Sequence, residues 1–185
     1  ISLRHTKDLL SSAWPLIISG IAITIYMQID QIIINSVLGE QELGYYASAV
    51  KLSQAGYFLP TIVANTVFPA IINAKRKSEQ LYENRLQILY GSFLWLSTLI
   101  ALSVTIISRP LVMMLYGQEF LPAASVLSIH IWAFVFIALG IASAKQSLAE
   151  DNTDFLMHRT IIGAVVSIGA NILLIPIYGI EGAAI

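Results

Sequence analysis

The chain has 185 residues, of which 57% are hydrophobic and only 11% are charged, and its mean hydropathy is +0.76. A soluble domain typically has about 25% charged residues, so this composition excludes an ordinary soluble domain. The formal net charge of −1 provides no basic surface for nucleic acid, and the lack of cysteines excludes disulfides and thiolate metal sites.

Apolar stretches of membrane-spanning length recur along the chain, and each is long enough to cross a bilayer core of about 30 Å as a helix. Because backbone groups inside a bilayer must be hydrogen-bonded internally, we predict an all-α, polytopic transmembrane helix bundle. It has about five complete spans and the start of a sixth. The predicted spans are residues 12–38, 44–72, 86–108, 122–144 and 159–175, with a truncated sixth at 180–185.

Both ends of the sequence look internal to a longer protein. Ile1 is not an initiation residue, and the closing stretch "GIEGAAI" resembles the beginning of another apolar segment. We therefore expect a fragment. Between the spans, the segment 109–122 is apolar with two prolines and predicts a short interfacial helix, while Pro60 is expected to kink the second span.

Positive charge is distributed unevenly between the two sides that the spans define. Eight of the ten Lys and Arg residues fall in the N-terminal tail and in the connections after the second and fourth spans. They are Arg4, Lys7, Lys75, Arg76, Lys77, Arg85, Lys145 and Arg159. The positive-inside rule then predicts a multi-pass protein of the cytoplasmic (inner) membrane whose fragment N-terminus is cytoplasmic.

Two opposite charges fall inside predicted spans. Asp30 lies roughly 12 Å, and Lys51 roughly 10 Å, from the outer ends of adjacent antiparallel helices, at about 1.5 Å per residue. We expect them to meet. Two interpretations remain open: a structural pair that locks two helices, or residues that line a cavity for a charged or sugar-bearing substrate or carry a coupling proton.

Further polar side chains follow the same two spans. The first span carries Gln28, Gln31 and Asn35 on a stripe that lies roughly 100° or more away from Asp30 around the helix. The other predicted pathway residues are Gln54 in the second span and His130 in the fourth. His130 is open to two interpretations, a packing hydrogen bond or a place in the cavity. The "AKRKS" cluster at 74–78 is either a topology signal that attracts anionic lipid or a cytoplasmic docking point for a phosphate-bearing headgroup.

Four stretches are similar to one family of membrane proteins. They are "SAWPLIISGIAITIYMQIDQIIINSVLG" (12–39), "GYYASAVKLSQAGYFLPTIVANTVFPAI" (44–71), "LYGQEFLPAASVLSIHIW" (115–132) and "NILLIPIYGIEGAA" (171–184). The chain resembles the C-terminal half of the polysaccharide or O-antigen flippases of the multidrug/oligosaccharidyl-lipid/polysaccharide exporter superfamily. It departs from them at Gln28, where members of the family often have a basic residue.

The resemblance implies one lobe of a two-lobe transporter. The expected substrate is a polyprenyl-diphosphate-linked oligosaccharide, moved through the lipid bilayer for polysaccharide biosynthesis, with ion or proton coupling. Polysaccharide polymerase or other assembly proteins are the candidate partners. Asp30 and Lys51 are the charged positions of this sequence that would face the cavity between the lobes.

Two other functions are considered. One is a cation-coupled drug exporter of the same superfamily, which favours an acidic, aromatic-lined cavity. The other is a membrane scaffold in glycan assembly that transports nothing. The sequence has no Walker loop, no paired metal-ligand pattern and no nucleophile elbow. We therefore predict a transporter rather than an enzyme, with no cofactor and no metal.

Overall fold

A computed structural model describes residues 14, 17–25 and 27–185 of the chain. Within these residues the fold is all-α, as predicted, and five helical segments are long and apolar enough to cross a membrane. They are Ile17–Val37, Glu40–Lys77, Glu79–Tyr116, Pro122–Ala149 and Thr153–Glu181. The chain is a multi-pass membrane protein on these spans. The beginning of the predicted first span and the basic residues Arg4 and Lys7 lie outside the described residues.

Three of the five spans consist of two helices in succession. In chain order the helices are α1 (residues 17–25), α2 (Ile29–Val37), α3 (Glu40–Gln54), α4 (Phe58–Lys77), α5 (Glu79–Tyr116), α6 (Pro122–His130), α7 (Ala133–Ala149) and α8 (Thr153–Tyr178). The interruptions fall at 27–28, 55–57 and 131–132. The first span is therefore α1–α2, the second α3–α4 and the fourth α6–α7.

Pro60 explains the interruption of the second span. A proline in a continuous helix has no N–H to donate, and its ring collides with the carbonyl four residues earlier, here that of Gly56. The chain instead turns at 55–57 and α4 begins at Phe58. The predicted kink is confirmed. Pro69, by contrast, lies inside the unbroken α4.

The second to fifth membrane-spanning segments are longer than predicted, and two of the predicted connections nearly disappear. Only Ser78 separates α4 from α5, where its side chain accepts a hydrogen bond from the N–H of Leu81 at 3.2 Å. The residues around it are mostly good helix formers, so the helices continue beyond the apolar stretch. The interfacial helix predicted for 109–122 is wrong, because α5 runs through Pro110 to Tyr116.

The turns define two ends of the bundle. The turns at Gly39, Gly117 and Gly179 all need a positive φ, of 91°, 86° and 65°, which glycine adopts without strain. We call this the glycine end, and the opposite end, with the turns at Ser78 and 150–152, the basic end. The predicted sixth span is not seen at 180–185, where the short 3-10 helix Gly179–Glu181 is followed by a turn.

Two apolar cores fill the two halves of the bundle. The core at the glycine end centres on α3 and α6 and includes Ile34, Tyr46 and Leu127, all fully buried. The core at the basic end joins α4, α5 and α7 around residues such as Ile71 and Phe93. A smaller cluster containing Phe134 lies between them, next to the interruptions of the second and fourth spans.

Candidate functional site

Asp30 lies in the first turn of α2, directly after the interruption of the first span. The backbone N–H of Gln31 donates to the Asp30 carboxylate at 2.7 Å. A carboxylate is favoured in this position, because the first N–H groups of a helix have no intrahelical acceptor and carry a partial positive charge. Asp30 is 8% exposed and therefore lies within the protein.

Tyr46 on α3 is the main partner of Asp30. Its side chain is fully buried, and its hydroxyl donates a short hydrogen bond to Asp30 Oδ2. Charge-assisted hydrogen bonds of this kind are roughly twice as strong as neutral ones. The sequence reasoning missed Tyr46, although it shares a helix face with Ala49, Val50 and Ser53, at intervals of three, four and seven residues.

His130 closes the same cluster from α6. Its Nδ1 lies 2.7 Å from Ser53 Oγ, and Ser53 also donates to the carbonyl of Val50 at 3.0 Å. The serine has one hydrogen, so the pattern is satisfied when His130 Nδ1–H donates to Ser53. The imidazole meets the ring of Tyr46 edge-on, with centroids 6.2 Å apart. His130 therefore makes the packing hydrogen bond that one of its two interpretations expected.

Lys51 does not meet Asp30. No ion pair joins the two residues, and Lys51 is exposed while Asp30 is buried. The reason is rotation about α3: at 3.6 residues per turn Lys51 points about 140° away from Tyr46, the residue that faces Asp30. The ion pair was predicted from the depth of the two residues in their spans. Depth does not report the direction in which a side chain points around the helix axis. The expected ion pair is therefore wrong.

The remaining predicted site residues lie on surfaces other than that of Asp30. Gln28 and Asn35 are exposed on the first span, and Gln31 and Gln54 are half-buried. Ile34 and Asp30 form the buried face of α2. The predicted separation of the amide stripe from Asp30 is therefore seen. The cluster of Asp30, Tyr46, Ser53 and His130 is distinct from an outer polar set of Lys51 and the four amides.

An exposed lysine within a membrane-spanning segment restricts what can lie next to it. A cation in contact with the centre of a bilayer costs about 2.5–3.5 kcal/mol on insertion scales, so such residues face water-filled cavities or other protein. Lys51 is 11 residues past the start of the span Glu40–Lys77. The surface that carries Lys51 is thus the candidate pathway surface, and Tyr46 and Ser53 of the buried cluster lie on the same helix.

A separate network fixes the basic end. Lys75 donates to the carbonyl of Ala149 at 2.8 Å and lies over the ring of Tyr82, whose hydroxyl donates to Glu150 at 2.9 Å. Gln146 also donates to Glu150 at 2.9 Å. Of the "AKRKS" cluster, Lys75 therefore has a structural role, whereas Arg76 and Lys77 are exposed.

Replacing Tyr46 with phenylalanine is expected to destabilise the protein by about 1–3 kcal/mol, because Oδ2 of the buried Asp30 carboxylate loses its donor. The measurement is thermal unfolding of the purified protein in lipid nanodiscs. Tyr45→Phe is the matched control, since the Tyr45 hydroxyl only accepts an exposed hydrogen bond from Gln41. Equal stability of the two variants would contradict the importance of the Tyr46–Asp30 bond.

Comparisons with known proteins agree with this architecture. The profile of a family described as "polysaccharide biosynthesis protein" matches residues 1–125. The chain is also similar to the probable low-salt glycan biosynthesis flippase Agl15 of Haloferax volcanii. The two are 22% identical over 188 residues, which cover 100% of this chain and 39% of that relative. The chain thus spans about two fifths of the length of the curated relative it matches. No solved structure matches significantly.

Proposed function

Because the chain belongs to the polysaccharide biosynthesis protein family, we propose that it is part of a flippase for a lipid-linked oligosaccharide. The substrate is a polyprenyl-diphosphate-linked oligosaccharide, and the reaction is its transfer from the cytoplasmic to the outer leaflet of the cytoplasmic membrane. No covalent bond changes in this reaction. The similarity to the Haloferax relative, a probable low-salt glycan biosynthesis flippase, supports the same class of activity.

The physical problem that such a protein solves is desolvation. A sugar–diphosphate headgroup cannot enter hydrocarbon without losing hydrogen bonds, at about 2–7 kcal/mol for each polar group left unpaired. A polar surface within the membrane replaces the lost water, while the prenyl tail remains in lipid. The headgroup then crosses along the protein rather than through the bilayer.

The single observation that carries the proposal is the exposed Lys51 within the membrane-spanning segment Glu40–Lys77. Its ammonium group attracts the diphosphate. The exposed Gln28 and Asn35, with Gln31 and Gln54, supply donors and acceptors for sugar hydroxyls. Asp30 forms no ion pair with a cationic side chain among the described residues, and it is the proposed site for a coupling ion or proton.

The proposed assembly is a two-lobe transporter in which this chain forms most of the second lobe. The share of the relative that the chain covers, 39%, supports a partial lobe. The basic end is proposed to be cytoplasmic, because Lys75, Arg76, Lys77 and Arg85 cluster there. Rocking of the two lobes would expose the pathway surface to one side of the membrane at a time.

The test is transport by the intact protein in proteoliposomes. A fluorescent polyprenyl-diphosphate oligosaccharide is incorporated into both leaflets, and a membrane-impermeant quencher reports the fraction that becomes accessible from outside. We expect the protein to expose the inner-leaflet pool to the quencher. Empty vesicles should keep that pool, about half of the total substrate, protected. If the substrate remains protected but a lipophilic cationic dye is exported, the protein is a drug exporter. If neither moves, it is a scaffold.

A further inference from the structure

Two neighbouring spans are interrupted at positions that face each other. The second span turns at 55–57 and the fourth at 131–132. Tyr57 lies in the first of these interruptions and Phe134 lies two residues after the second, and their rings are stacked with centroids 5.8 Å apart and planes 3° apart. Gly56 also lies against Phe134, since a Cβ at this position would be 3.7 Å from the ring. The two interruptions are therefore in direct contact.

Both interruptions contain the same type of backbone hydrogen bond. The N–H of Tyr57 bonds to the carbonyl of Gln54 at 2.9 Å, and that of Trp132 bonds to Ile129 at 3.1 Å. Each bond joins residues that are three positions apart, as in a 3-10 turn, rather than four positions apart, as in an α-helix. Such turns within a helix commonly mark hinges, because they hold the backbone less firmly than α-helical bonds do.

The helices on each side of the interruptions pack in pairs. On the glycine-end side, α3 packs on α6, and the Ser53–His130 hydrogen bond of 2.7 Å joins their last turns. On the basic-end side, α4 packs on α7, where Lys145 lies over the ring of Phe68 at 4.9 Å. Lys75 adds its bond to the Ala149 carbonyl at 2.8 Å. Each pair is thus tied together internally, with its own apolar core.

We propose that the two interruptions form one double hinge within this lobe, with the Tyr57–Phe134 stack as its pivot. The α3–α6 pair, which carries Lys51, Tyr46 and His130, tilts as a unit relative to the α4–α7 pair. Tilting moves the polar surface of the glycine-end half, and the α3–α6 pair slides along the continuous α5, which packs on both pairs. This motion is internal to the lobe and separate from rocking between lobes.

Pro60 is the residue that maintains the hinge in the second span. Replacing it with alanine restores an N–H that can bond to the carbonyl of Gly56 and removes the collision of the ring. Gly56→Ala is a second, milder variant, because its Cβ would make an ordinary contact with Phe134 and favours a helix. Pro69→Ala is the matched control, since Pro69 lies in α4 away from any interruption.

The test uses spin-label distances in the intact protein in lipid, which the lack of cysteines in this chain makes straightforward. One label pair replaces the exposed Gln41 and Arg76, at the far ends of α3 and α4, about 50 Å apart. A reference pair replaces Glu83 and Met114 on the continuous α5. We expect a broad distance distribution for the first pair and a narrow one for the reference pair.

Pro60→Ala and Gly56→Ala are expected to narrow the first distribution and to lower transport about tenfold, whereas Pro69→Ala changes neither. A distribution for Gln41 and Arg76 as narrow as that on α5, or one that both variants leave unchanged, would overturn the hinge. The distances are measured without substrate, so they test the hinge independently of transport. A rigid span in a protein that transports would overturn the hinge alone, and a flexible span in a protein that does not transport would overturn the proposed function alone.

Discussion

Replacing Asp30 with asparagine is expected to lower lipid-linked oligosaccharide transport by at least about 100-fold while leaving the protein folded. Asparagine keeps the size of the side chain and an oxygen that accepts from Tyr46. It removes the negative charge, the ability to bind a proton or cation, and the second oxygen, which accepts from the N–H of Gln31. Burying a carboxylate within a bilayer-spanning bundle costs free energy, and an apolar side chain of similar size would often be more stabilising. The proposed role of Asp30 is therefore functional.

The measurement is the proteoliposome assay, with membrane insertion and thermal unfolding measured on the same samples. Asp154→Asn is the matched control, because Asp154 is exposed in the first turn of α8 at the basic end. Asp154→Asn should transport at the normal rate. Normal transport by Asp30→Asn would instead mean that the carboxylate only joins α2 to α3.

Replacing Lys51 with glutamine is the second large effect, with an expected loss of transport of about 10- to 100-fold. The lysine makes no ion pair or hydrogen bond with the residues that the structure describes, so its removal should not lower the unfolding temperature. Removal of an unpaired charge from a membrane span should raise that temperature, if it changes at all. The predicted combination is therefore impaired transport with unimpaired stability.

Lys51→Arg should recover a substantial part of the transport, because a guanidinium group also binds phosphate oxygens. Lys77→Gln is the control for overall charge, since Lys77 is exposed at the end of α4. The apparent affinity for the diphosphate substrate should fall in Lys51→Gln and not in Lys77→Gln. Equal affinities in the two variants would place the diphosphate elsewhere.

The number of spans could be predicted from the sequence, because the bilayer imposes a length and an apolar composition on each crossing helix. The ends of the helices could not be predicted in the same way. Residues 73–85 are polar, yet most of them continue α4 and α5 beyond the apolar stretch, with a single cap at Ser78. Hydropathy locates the membrane, whereas helix propensity and capping determine where the helix ends.

The site was predicted in part for a related reason. Sequence position gives the depth of a residue in a span but not which neighbour each helix face meets. Asp30 and Lys51 are accordingly both in the membrane, but on surfaces that do not face each other. A helical wheel of α3 separates Lys51 from Tyr46, although only the packed structure shows that Tyr46 faces Asp30.

The interruptions also differ in how predictable they are. Pro60 predicts the turn at 55–57 from covalent structure alone. No proline lies near the turn at 131–132, and the tertiary contact beside it, the stack of Phe134 on Tyr57, is not visible in the local sequence. The turn at 27–28 likewise has no proline, and it provides the helix start at which Asp30 accepts the N–H of Gln31.

The most direct test of the account is the accessibility of position 51 to water. In the intact protein, Lys51→Cys is treated with a membrane-impermeant thiol reagent, and Leu102→Cys, at an exposed leucine on α5, is the lipid-facing control. A thiol reacts as its thiolate, which forms in water but not in hydrocarbon. We predict that Lys51→Cys reacts at least about tenfold faster than Leu102→Cys, and that added lipid-linked oligosaccharide slows it. Equal, slow labelling of both positions would contradict a polar pathway along α3.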